Sequence, residues 1–112
     1  MIEGNGKYMA REINFEQYTN EIAKSEKLVL IDFFATWCGP CKMLAPVIEQ
    51  VAEEHEDIEV VKVDTDKVPE LAVLYKVASI PTLVFLKNGQ VVKEHIGFAT
   101  KVQIDAMIEE CR

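Results

Sequence analysis

The sequence predicts an α/β domain with a mixed central β-sheet and helices on both of its faces. The first observation behind this is Leu28-Val29-Leu30-Ile31-Asp32-Phe33-Phe34, continuously apolar and β-rich apart from one acid. A strand without polar alternation is covered on both faces, the mark of a central strand. The second is order: strand-like and helix-like segments follow one another as βαβαβαββα, and residues 28–63 have the spacing of a parallel βαβ unit. The third is Asn88-Gly89 between two β-rich runs, a hairpin signal that turns the far side of the sheet antiparallel.

Each element has its own local reason. Residues 1–9 contain glycine and asparagine and no periodicity, and read as an N-terminal extension or a remnant of expression ahead of one domain over residues 10–112; Met9 is a candidate initiator. Residues 10–13 form a short strand. Asn14 then acts as N-cap, with Gln17 three residues on and an Ile13–Tyr18 staple, and Phe15, Tyr18 and Ile22 follow at helical spacing. After the central strand comes a helix with Cys41, Leu44, Val47, Ile48, Val51, Ala52 and His55 on one stripe, and with Pro46 inside it as an expected kink. Its other face carries Glu49, Glu53, Glu54 and Glu56. Residues 58–63 are the next strand. Residues 68–75 are a short helix with Pro69 in its first turn, where a missing N–H costs little. The hairpin pairs residues 82–87 with 91–96. Thr100 and Gln103 form a capping box for the last helix, whose stripe is Ile104, Met107, Ile108 and Cys111.

Composition narrows the function. Leu, Ile, Val and Phe make up close to a third of the 112 residues, enough for one collapsed core and too much for a disordered chain. No apolar run is long enough to cross a bilayer. The formal charge of -7 would be repelled by phosphate backbones and anionic lipid, which argues against nucleic-acid or membrane partners. The first eight residues have neither a basic nor an apolar stretch, so no signal peptide is expected and the cytoplasm is the expected location. In such a compartment three cysteines are not a disulfide scaffold, and a C-x-x-C pair is redox-active or metal-binding before it is structural.

That pair is Cys38-Gly39-Pro40-Cys41, placed where the central strand gives way to a helix. At a helix N-terminus, unpaired N–H groups and the positive end of the dipole favour a thiolate at Cys38. Cys41, three residues further on the same face, is close enough to bridge. Gly39 and Pro40 keep the pair compact. The expected arrangement is an exposed nucleophile with a resolving thiol behind it. The competing readings are weaker. Zinc requires four ligands, and His55, His95 and Cys111 are scattered singly. Haem attachment requires His after Cys41, where Lys42 stands. A static bridge remains open at this point.

The segment from Phe33 to Met43, read FFATWCGPCKM and followed by Ala45-Pro46, resembles the active-site segment of the thioredoxin family. So do Asp32 six residues before Cys38, Lys62 in Val61-Lys62-Val63-Asp64, Ser79-Ile80-Pro81-Thr82, Lys87-Asn88-Gly89 and Ile96-Gly97. The resemblance runs over about residues 10–112 and implies a thioredoxin-like three-layer fold. It implies a protein-disulfide reductase with Cys38 attacking, Cys41 resolving, and Asp32 as the buried proton acceptor with Lys62 near it. Pro81 would be cis, and the backbone of Ile80 would pair with an extended substrate. Trp37, Gly39, Pro40, Ile80, Ile96 and Gly97 would form the contact surface. No tightly bound cofactor or metal is implied, since the electrons reside in the sulfurs. The implied partners are disulfide-containing target proteins and a thioredoxin reductase, with a monomer the expected state. Phe34, Thr36 and Phe98 depart from the commonest family pattern, and Phe34 and Phe98 bear on partner preference.

Two rivals follow from the same residues. The fold run as an oxidase or isomerase fits an oxidising compartment, but the Gly-Pro spacer matches reducing members. A binding module with incidental thiols does not account for an intact Cys-Gly-Pro-Cys with Asp32 and Pro81. Among the remaining residues, Asp64 and Asp66 read as a strand-end loop and not a cation site, since a calcium loop needs a third acid and a glycine. Glu53 to Asp57 reads as a solvated helix end. Cys111 reads as a small packed hydrophobe, and Lys62 as a snorkelling strand residue unless the resemblance assigns it more.

Overall fold

The computed structural model describes residues 10–112, so the expected N-terminal extension, residues 1–9, lies outside the described residues. In chain order the elements are β1 (Arg11–Glu12), α1 (Phe15–Gln17) running into a π-helical segment (Tyr18–Ile22), β2 (Val29–Phe34), α2 (Gly39–Glu54), β3 (Glu59–Asp64), α3 (Pro69–Leu74), β4 (Thr82–Lys87), β5 (Gln90–Ile96) and α4 (Lys101–Cys111). The five strands form one sheet in the order β1-β3-β2-β4-β5. β1, β3 and β2 are parallel, β4 is antiparallel to β2, and β5 is antiparallel to β4. The mixed sheet is therefore present, with β2 at its centre.

Local chemistry starts and stops the elements where expected. Asn14 accepts from the Gln17 N–H while the Gln17 side chain accepts from the Asn14 N–H, and Thr100 and Gln103 repeat this box at α4. Asn88 and Gly89 both take positive φ, +53° and +77°, as a tight hairpin turn requires. One element differs from the periodicity. Past Gln17 the helix widens, and the Ala23 N–H donates to the Tyr18 carbonyl five residues back. The wider turn keeps Ile22 fully in the core, with Tyr18 packed against the same cluster.

Strand alternation divides the core into two layers. Leu30, Val60, Leu83 and Phe85 face α2 and α4, where Leu44, Ile48, Val51, Ile104 and Ile108 cover them. Val29, Ile31, Phe33, Val61, Val63, Val84 and Leu86 face the other side, under Ile22 and Leu71. Each such side chain, fully withdrawn from water, contributes about 1.5–3 kcal/mol. Within the first layer two places are polar. Asp32 and Lys62 continue the rows of Leu30 and Val60 beneath α2. Among the described residues no helix is long and apolar enough to cross a membrane.

Candidate active site

The chain leaves β2 at Phe34 and enters α2 at Gly39, and this short connection carries Trp37 and Cys38. Cys38 is the N-cap of α2, with extended backbone (φ −89°, ψ 117°), and Pro40 occupies the first turn. The Cys41 N–H donates to Cys38 Sγ at 3.2 Å. In the reduced protein this bond and the helix dipole both favour negative charge on Cys38. The two cysteines are joined as a disulfide, their Cα atoms 5.2 Å apart. Cys38 Sγ lies 3.9 Å from the carbonyl oxygen of Ile80, and the Ile80–Pro81 bond is cis.

One expectation needs correction. Cys38 is not an exposed nucleophile: it is only 5 % accessible, almost as covered as Cys41. Ala35, Phe34 and Ile80 pack around the pair, so a segment 42 residues later in the chain closes over the sulfur. Trp37, next to Cys38 in the chain, is 69 % exposed, and Ile96, registered with Thr82, is 65 % exposed. Gly39 and Gly97 add no bulk there; a Cβ built on either meets nothing within 4 Å. Gly97 also has φ +95°, a conformation side chains resist, and its N–H donates to the Pro81 carbonyl at 2.8 Å. Residues 96–97 are thereby laid beside Ile80–Pro81.

Asp32 is buried in β2, and its Oδ1 has no hydrogen-bond partner among the described residues. Burial pushes its carboxyl pKa up to about 7, against the attraction of Lys62 and with a further push from Glu49. Lys62, its registered neighbour on β3, holds its ammonium 5.0 Å from the centre of the Phe34 ring. Lys62 and Cys41 both line a cleft of about 240 Å³ that opens beside Ala35, Thr36 and Ala45. The site thus pairs a sulfur couple with a carboxyl able to take or release a proton near neutral pH.

The family model for thioredoxin matches residues 9–110. The chain belongs to the thioredoxin family. It is 47 % identical over 106 residues to the thioredoxin of Listeria monocytogenes, covering 91 % of this chain and 98 % of that one. It is 48 % identical over 81 residues to thioredoxin-2 of Saccharomyces cerevisiae, covering 72 % and 78 %. Among solved structures, a mutant thioredoxin from Halobacterium salinarum superimposes with a TM-score of 0.85 at 33 % identity, covering 96 % of this chain and 94 % of that one. The thioredoxin-like fold and a dithiol–disulfide oxidoreductase activity through Cys38 and Cys41 follow from this membership and from the bridged pair.

Two members of this thioredoxin site were not evident from sequence. Asp66, read only as part of a strand-end loop, accepts from the Trp37 indole Nε1 at 2.8 Å and fixes the ring of the residue before Cys38. Glu49, read only as the polar face of α2, accepts from the Ala10 N–H at 2.9 Å and loads negative charge towards Asp32. Neither pairing has a local signature, because each joins residues 29 or more positions apart. Among the described residues no group of three or more His, Cys, Asp or Glu is placed to hold a metal ion.

Proposed function

We propose that the chain reduces disulfides in other proteins, with each site residue in a stated role. The observation that carries this reading is the Cys38 sulfur at the N-cap of α2, accepting the Cys41 N–H beside the Ile80 carbonyl. Starting from the reduced pair, the Cys38 thiolate attacks one sulfur of a target disulfide. A Cys38–target bond forms, the target S–S bond breaks, and the departing target thiolate takes a proton from water. Asp32 then accepts the proton of the Cys41 thiol, a role suited to a carboxyl whose pKa lies near 7. The Cys41 thiolate attacks Cys38 Sγ, the mixed disulfide breaks, and the target leaves with two electrons gained as Cys38 and Cys41 become a disulfide. Lys62 moderates the charge on Asp32. Pro81, Gly39 and Pro40 shape the approach, and Trp37, Ile80, Ile96 and Gly97 receive an extended target segment.

The cycle closes when a thioredoxin reductase, a flavoprotein drawing on NADPH, returns two electrons to the pair. No tightly bound cofactor is needed, and the cytoplasm suits a pair kept reduced. Replacing Cys41 by serine tests the reading. Attack survives and resolution does not, so Cys41→Ser accumulates a mixed disulfide through Cys38 and loses turnover at least about a hundredfold. Turnover at the wild-type rate would overturn the two-thiol mechanism.

A further inference from the structure

On the sheet face opposite α2 and α4, a groove of about 360 Å³ opens between the end of α3 and the β4–β5 hairpin. That volume is within the range of small-molecule sites. The groove shares no residue with the cleft beside Cys41 or with the cover over Cys38. Tyr18 and Tyr75 line it, their rings edge to face and their hydroxyl oxygens 2.5 Å apart. In such a pair one hydroxyl donates and the other accepts, so the accepting tyrosine keeps its own hydrogen for a third group. Burial, and then the bond to Tyr18, hold the Tyr75 hydroxyl pKa above its ordinary value, so Tyr75 stays neutral. Leu74 and Val91 add apolar walls that the fold leaves exposed.

Two opposite charges complete the lining. Lys76 stands at the end of α3 and Glu94 on β5. Among the described residues neither is in an ion pair, with the other or with any third group. Lys76 is also left-handed, with φ +55°, where glycine would sit without strain. A side chain kept at such a cost points to a use for it.

We propose that this groove binds a free α-amino acid with an aromatic or large aliphatic side chain. The ammonium faces Glu94. The carboxylate faces Lys76 and takes the spare tyrosine hydrogen, and the side chain rests on Tyr75, Leu74 and Val91. Charge decides the class of ligand. A phosphate or other pure anion is repelled by Glu94, and a simple amine by Lys76; a zwitterion satisfies both. Apolar contact supplies the driving force and excludes glycine.

The test titrates isotope-labelled oxidised protein with L-phenylalanine and follows the backbone amides by NMR. Shifts at Tyr18, residues 74–76 and residues 89–94 saturate with a Kd of about 1 mM. N-acetyl-phenylalanine lacks the ammonium and phenylalanine amide lacks the carboxylate; each binds about fivefold more weakly, the effect of one partly exposed ion pair. Glycine does not saturate the shifts by about 20 mM. Glu94→Gln abolishes the preference over the N-acetyl compound and keeps the preference over the amide, and Lys76→Gln does the reverse. Both variants retain wild-type disulfide reduction. No saturation by about 20 mM L-phenylalanine, shifts centred elsewhere, or both preferences intact in either variant would overturn the proposal. So would N-acetyl-phenylalanine amide binding as tightly as the free amino acid, which would assign the groove to a side chain within a polypeptide.

Discussion

Asp32 and Lys62 stand directly opposite each other across the β2–β3 ladder, on the same face of the sheet, yet among the described residues Asp32 Oδ1 has no hydrogen-bond partner. The carboxyl is therefore held in a place where its ionised form is poorly solvated. Loss of hydration outweighs the attraction of Lys62, and the pKa rises from 3.8 to about 7. The folded state thus binds this proton more tightly than the unfolded chain. The resulting penalty is absent below pH 3.8, grows between there and about pH 7, and is complete above, where it is on the order of 4 kcal/mol.

Asp32→Ala accordingly stabilises the oxidised protein at pH 8, by roughly 1–3 kcal/mol once the cavity left behind is subtracted. The gain shrinks as pH falls and reverses between pH 4 and 7, where the cavity outweighs what remains of the penalty. Denaturant melts across pH measure it. The same variant resolves mixed disulfides more slowly near neutral pH, because the acceptor for the Cys41 proton is gone. A variant less stable at pH 8 yet fully active would contradict both expectations.

Glu49→Gln separates charge from packing. Glutamine keeps the oxygen that accepts the Ala10 N–H, and removes the negative charge that adds to the rise at Asp32. The Asp32 carboxyl then titrates below its present value of about 7 and still above 3.8, because burial, the largest cause, is untouched. Carboxyl-carbon NMR titration of the oxidised protein reads the change directly. No movement, or a rise, would remove Glu49 from the electrostatics of the site.

Lys76 follows α3 with φ +55°, a left-handed conformation that costs a side-chain-bearing residue about 1–2 kcal/mol. Lys76→Gly relieves this and returns some conformational entropy to the unfolded chain, for a net gain of about 0.5–1 kcal/mol. Thermal unfolding monitored by circular dichroism decides the matter. A lower midpoint would mean that the lysine side chain makes compensating contacts.

Cys111 sits at the end of α4, half-buried against the core layer that includes Ile108. Burial pushes its thiol pKa up, Lys93 and Lys87 opposing this and Glu110 adding to it, so thiolate is scarce at neutral pH. Cys111→Ser therefore leaves disulfide reduction within about twofold of wild type and costs about 1 kcal/mol or less in stability. A tenfold fall in turnover would make Cys111 a second redox centre.

What could be read from the sequence was local or repeated. Asn14 with Gln17, Thr100 with Gln103, and Asn88 with Gly89 each act within four residues, so their geometry follows from residue type and spacing. The apolar run of β2 reported its central position because both faces of the strand are covered. The π-helical widening after Gln17 was not legible, since helical and π spacing place Tyr18 and Ile22 almost alike. The cover over Cys38 was hidden for another reason. It depends on where residues 80–81 land after two helices and one further strand, a tertiary outcome with no trace near residue 38. The bond from Trp37 to Asp66 belongs to the same class.

The narrow opening over Cys38 has a consequence for the clients of this protein. A nucleophile only 5 % accessible cannot travel to a disulfide sealed inside another folded domain. On the proposed reading, the client instead presents its bond on a strand of chain loose enough to reach the sulfur beneath Ile80. For a buried bond, the free energy of that local opening adds to the barrier. Reaction rates across clients then rank by how readily each one frays around its disulfide, and bonds of equal redox potential are sorted by the mechanical looseness of their surroundings.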